Sequence, residues 1–206
     1  MRRTIVFLAG LATALSVVAG ATAAQPSSVT ISVSRPVVVF GSSVTLSGKV
    51  SSHKAGEMVN VLAEPLATSS FSALASTAST AGGAWSRLVM PMIRTEYEAS
   101  WMGVTSSTAT VSVRPLITLS LVNLSTGTFS TKATAARSFA GKFVLVQRVT
   151  STGLATLKKV TLDTSSSATF HVRLHHGTNR LRVVMPASQA APGYLSGMSK
   201  ALTVSR

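Results

Sequence analysis

Proton-transfer chemistry needs carboxylates and histidines within hydrogen-bond reach of a substrate, and this 206-residue chain has few: Asp163, four glutamates and four histidines, with no cysteine. Asp163, any of 32 serines and His171, His175 or His176 can be drawn as a triad, but with so many serines the drawing discriminates nothing. There is no Gly-x-Ser-x-Gly elbow, His-Glu-x-x-His pair or Gly-rich phosphate loop. The expectation is a non-enzyme with no catalytic residues, a hydrolase being the least favoured alternative. The histidine-rich run His171-Val172-Arg173-Leu174-His175-His176 is the best candidate for metal binding. On a strand rising about 3.3 Å per residue, His171 and His175 share a face but stand roughly 13 Å apart, too far for one ion with bonds of about 2 Å. Exposed histidines are expected, with no metal and no other cofactor.

The same run carries a stronger electrostatic signal. If Phe170, Val172 and Leu174 point inward on a strand, then His171, Arg173 and His175 point outward; if Leu181, Val183 and Met185 point inward, Arg180 and Arg182 point outward. Pairing these two stretches across residues 176–179 predicts a hairpin with one basic face, centred on Arg173, Arg180 and Arg182, with Lys158 and Lys159 beside it. Charge-assisted hydrogen bonds from such a face suit the phosphates or carboxylates of a wall polymer. The charge is unevenly spread: residues 25–114 carry six basic and four acidic side chains, residues 115–206 eleven basic and one acidic. A field of that sign favours anionic partners. Nucleic acid is not expected, because aromatic platforms for bases are scarce. A second reading is carbohydrate recognition by exposed aromatics, for which Trp101 is the candidate; Trp85 is expected in the core.

The elements that would position these groups are strands. Val29-Thr30-Ile31-Ser32-Val33, Val44 to Val50, Val59 to Val61 and Ala109 to Val113 alternate apolar with polar and are separated by Gly, Ser and Pro. With 32 serines and 25 threonines, the composition suits pleated, half-buried surfaces better than helices. Ahead of them, Met1-Arg2-Arg3, the apolar run Ile5 to Ala19 and the small residues ending at Ala24 have the charged, apolar and A-x-A-like parts of a secretory signal. The expected layout is a signal over residues 1–24 and an exported chain with no stable membrane span after cleavage. The last strand-like run ends at Arg206 with no sorting motif, so retention at a surface is expected to be noncovalent.

The pattern then repeats. Ala55-Gly56-Glu57-Met58-Val59-Asn60-Val61 corresponds to Ala140-Gly141-Lys142-Phe143-Val144-Leu145-Val146, and Trp85 to Phe170, at one offset; Lys49-Val50 matches Lys132-Ala133 two residues short of it; Ala109 to Arg114 is echoed by Ala201 to Arg206. A tandem duplication of units of about 90 residues is expected, at 25–114 and 115–206, near the roughly 100 residues of a sandwich domain.

The Gly-Ser-Ser turn at 41–43, Val-Thr-Leu-Ser-Gly at 44–48, Ala-Gly-x-x-Val-x-Val and Thr95-x-Tyr97-x-Ala99 resemble the immunoglobulin-like repeats of secreted bacterial, especially actinobacterial, proteins. The resemblance implies an all-β chain of two tandem immunoglobulin-like β-sandwiches. It implies a secreted or loosely surface-held structural or adhesive module. Tyr97 is similar to a tyrosine corner, with Ala99 where the second cysteine of the inter-sheet disulfide would stand. The second unit lacks the tyrosine. Combined with the charge, the expected function is a non-catalytic module whose second unit contacts anionic envelope polymer or glycan.

Overall fold

Inward-facing Val44, Leu46, Val59, Val61, Val111 and Val113 are fully buried, and the residues between them are not, so each strand offers one face to a core. The computed structural model describes residues 26–206, and the signal-like segment 1–24 lies outside the described residues. The first stretch forms β1 (Ser32–Val33), β2 (Val37–Val39), β3 (Val44–Lys49), β4 (Met58–Pro65), β5 (Ser72–Ala78), β6 (Ala84–Val89), β7 (Thr95–Trp101), β8 (Val104–Thr105) and β9 (Ala109–Arg114). The second forms β10 (Leu116–Asn123), β11 (Thr128–Thr134), β12 (Phe143–Thr150), β13 (Gly153–Thr161), β14 (Ser167–His171), β15 (Thr178–Met185), β16 (Gly197–Met198) and β17 (Leu202–Ser205).

Strands β1–β9 make two sheets, ordered β1-β3-β6 and β2-β9-β7-β4-β5, with β8 beside β7. Strands β10–β17 make two more, ordered β10-β11-β14 and β13-β12-β15-β16, with β17 also on β15. The chain is therefore two tandem immunoglobulin-like β-sandwiches. In the first, β2 runs parallel to β9 and the other pairings are antiparallel.

Register makes the duplication concrete. Val61 faces Ala99 across β4 and β7, and Val146 faces Val183 across β12 and β15. The β4–β5 hairpin slips by one residue after Val61, leaving Leu74 unpaired, and the β12–β13 hairpin slips after Val146, leaving Leu157 unpaired. Two bulges at the same rung are features of the fold. In the other sheet the sequence-based match of Trp85 with Phe170 is off by two residues: Trp85 lies opposite Gly48, whereas Phe170 lies opposite Phe129. The cause is packing. Phe129 and Phe170 stack with ring centroids 6.1 Å apart, while Trp85 needs a partner with no side chain. The closing strands also align one residue from the sequence match, because buried Val111 and Val204 occupy the same rung.

No disulfide ties the sheets. Ala99, at the position of the missing cysteine, is fully buried against Val61, and Tyr97 is buried with the Thr95 side chain as its hydroxyl's hydrogen-bond neighbour. Burial pushes the Tyr97 hydroxyl pKa up from its ordinary value.

The two sandwiches are joined by a single buried residue, Pro115, between β9 and β10. A loop of the second sandwich docks on the first. Arg94 N–H donates to Gly193 carbonyl at 3.0 Å, Leu195 N–H to Val113 carbonyl at 2.9 Å, and the Tyr194 hydroxyl to Met92 carbonyl at 2.6 Å. Arg114 donates to the Ser196 backbone. Arg137 lies over the rings of Phe139 and Tyr194, and the Tyr194 hydroxyl accepts from Ala136 N–H.

A β-carbon on Gly48 would collide with the Thr30 carbonyl and come within 2.8 Å of the Trp85 indole nitrogen. Gly48→Ala is expected to destabilise the chain by about 1–3 kcal/mol, the usual cost of overpacking, read as a lower denaturant midpoint. A midpoint equal to wild type would mean that β1 and β6 have room to move apart.

Candidate functional site

The predicted basic hairpin does not form. β14 pairs with β11, whereas β15 pairs with β12, β16 and β17, so residues 176–179 cross from one sheet to the other. Phe170, Val172, Leu174 and Leu181, Val183, Met185 do all face the core, as alternation requires, but from opposite sides of it. Alternation specifies which face of a strand is buried and leaves open which sheet the strand joins.

The five expected cations therefore separate. Lys159, Arg180 and Arg182 lie on the outer face of the β13-β12-β15 sheet. There Lys159 Nζ sits 4.0 Å from the centre of the Phe143 ring, and Arg182 Nε donates to Gln147 Oε1 at 3.0 Å. Lys158 and Arg173 instead border an open cleft of about 260 Å³ between β13 and β14, with Arg148, Leu157, His171 and His175.

Arg148 organises this cleft. It continues the inward-facing series Val144 and Val146 at the end of β12, where the core gives way to the opening. Its guanidinium donates to the Arg173 carbonyl at 2.8 Å and to His175 Nε2, so both of its outer nitrogens are committed to protein acceptors. Its Nε is buried without a partner among the described residues. The loop it supports is pinned from below by buried Asn179, which accepts from His175 N–H at 3.0 Å and donates to the His175 carbonyl at 2.8 Å. His171 Nδ1 shares a 2.9 Å hydrogen bond with Thr128 Oγ1. Arg148 is the residue that sequence reasoning missed; the available signal was a cation on the inward rung of an otherwise apolar alternation.

Nothing in the second sandwich neutralises these cations. Asp163 is its one acid, and that carboxylate accepts from Ser165 N–H, Ser165 Oγ and Ser167 N–H in its own turn. Asp163 is thus not oriented against any histidine, and the paper triad is not assembled. The single ion pair among the described residues, Arg94–Glu96 at 2.6 Å, belongs to the first sandwich. Among the described residues no group of three or more His, Cys, Asp or Glu is placed to hold a metal ion.

The expected sugar platform is corrected. Trp101 is 4% exposed, because β7 keeps its inward series Thr95, Tyr97, Ala99, Trp101 to its last residue. The indole nitrogen donates to Glu57 Oε2 at 3.2 Å, which satisfies the one polar atom that burial would strand. Trp85, Tyr97 and Tyr194 are buried as well, so no Trp or Tyr ring is free to stack on a sugar.

No protein-family model matches the chain, and no curated protein matches it. Among solved structures it is similar to a tetra-tandem repeat from the extending region of a large adhesion protein, at 16% identity and TM-score 0.35, over 87% of this chain and 49% of that one. It is also similar to native E. coli alpha-2-macroglobulin, at 12% identity and TM-score 0.33, over 86% of this chain and 14% of that one. The chain thus spans about half the length of the first and a small part of the second.

The Ser165 hydroxyl, helped by the Ser167 backbone N–H, holds the Asp163 carboxyl below its ordinary value of 3.8. A carboxyl depressed by folding lends stability that is present above the unfolded value and lost as pH falls through the folded one. Asp163→Asn is therefore expected to leave the loss of stability between about pH 5 and pH 2 shallower than in wild type, read from urea midpoints. An unchanged slope would mean that the turn does not favour the ionised form.

Proposed function

We propose that the chain is an exported, non-catalytic binding module whose second sandwich contacts an anionic envelope polymer. The observation that carries this reading is the β13–β14 cleft, where Arg148, Lys158 and Arg173 converge with His171 and His175 and the sandwich has no free carboxylate to offset them. Like charges brought together without counter-charge cost stability, and a polyanion removes that cost on binding. Arg148 spends its outer nitrogens on the protein, so it supplies charge and shape. Lys158 and Arg173 are exposed and supply the hydrogen bonds. Lys159, Arg180 and Arg182 extend the positive field on the neighbouring sheet face, where a long polymer meets them and a small anion does not. The signal-like N-terminus supports export.

The test is retention of the mature chain on purified envelope material at low salt and at about 0.5 M, where the Debye length is only a few Å. Binding is expected to be lost at high salt. Replacing Lys158 and Arg173 together by Gln should weaken it about three- to tenfold at low salt, since exposed charge pairs contribute about 0.2–1 kcal/mol each. Replacing Arg180 and Arg182 should do less on short polymers than on long ones. Salt-resistant retention that survives both double variants would overturn the reading.

A further inference from the structure

The first sandwich opens at the same place as the second, and the opening has the opposite chemistry. β5 pairs only with β4 and β6 only with β3, so their free edges flank a cleft of about 390 Å³ that reaches between the sheets. Register assigns each wall position its counterpart in the basic cleft. Ala63 stands where Arg148 stands, and Ala75 where Lys158 does, each beside the bulged Leu74 or Leu157. Leu88 stands where His171 does, and Met90 and Met92 follow it at the same spacing as Arg173 and His175 follow His171.

Two features identify the occupant. Leu74, Leu88, Met90 and Met92 are 49%, 64%, 54% and 47% exposed around one opening, an apolar concentration that isolated surface residues do not produce. Flexible methionines line sites that adapt to an unbranched apolar ligand. The second feature is Arg87. Alternation with buried Trp85 and Val89 turns it toward the space between the sheets, and it has no ion-pair or hydrogen-bond partner among the described residues. A cation at an apolar cleft selects an anionic head, and the volume lies at the small end of the roughly 300–1,000 Å³ of ligand sites.

We propose that this cleft binds a single-chain amphiphile with an anionic head, the alkyl chain lying against Leu74, Leu88, Met90 and Met92 and the head on Arg87. The site is independent of the polymer contact on the second sandwich.

The test is calorimetric titration of the mature chain with octyl, decyl and dodecyl sulfates below their micellar concentrations, with decyl maltoside and decyltrimethylammonium as neutral and cationic heads. Affinity is expected to rise about fourfold per methylene until the cleft is filled, with the sulfate preferred. Arg87→Gln should abolish the preference for sulfate over maltoside and keep the chain-length dependence. Ala75→Trp, which fills the floor, should abolish both; Ala75→Ser, which leaves the floor open, should bind like wild type and serves as the folding control. The Lys158→Gln, Arg173→Gln double variant should retain the chain-length series, which separates this site from the basic cleft. No binding of any decyl compound, equal binding of all three heads, or binding untouched by Ala75→Trp would each overturn the proposal.

Discussion

Face-to-face packing of paired sheets holds each unit of this chain together. With no disulfide available, each pair of sheets is held by interleaved inward side chains alone, from Val44, Leu46, Val59 and Val61 in the first unit to Phe129, Val146, Leu181 and Met185 in the second. Burying such side chains contributes about 1.5–3 kcal/mol each, and the alternation that makes it possible fixes the outward residues at the same time. The charge and exposure of both clefts follow from which rungs point in.

Both clefts arise where that packing stops. At the β5–β6 and β13–β14 openings the sheets have run out of neighbours, and inward positions there face a gap instead of a core. In the first unit Ala63 and Ala75 fill these rungs, with Met90 and Met92 at the rim; in the second Arg148 and Lys158 fill them, with Arg173 and His175 at the rim. Duplication thus kept the scaffold and changed its least constrained rungs, because a substitution there loses little buried contact. In the core the bulky rings sit on different rungs: Trp85 lies opposite Gly48 in the first unit, and the stacked Phe129 and Phe170 lie two residues along the sheet in the second.

The joint gives the pair of clefts a fixed relation. A one-residue connection through buried Pro115 leaves little chain to flex, and the docked loop ties Arg94 and Val113 of the first unit to the second by backbone hydrogen bonds and Met92 by the Tyr194 hydroxyl. Met92 and Ile93 belong both to the joint and to the apolar cleft, so the two are built from one segment.

The all-β class, the repeat and the inward or outward sense of most strand residues were legible in the chain alone, because these follow from a period of two and from repeated motifs. The sequence placed Trp85, Val172 and Leu181 in the core, and it located the basic excess in the second half. It also put Arg173, Arg180 and Arg182 on one face and left Trp101 exposed, and the structure decided otherwise on both. Which sheet a strand joins depends on pairings between residues far apart in the chain, so β14 and β15 could be separated only by folding the whole sandwich. Trp101 is covered because β8 turns back on β7 and Glu57 arrives from before β4 to meet its indole. Arg148 joined the site for the same reason: its neighbours across the cleft come from other strands, and only tertiary structure brings them to it.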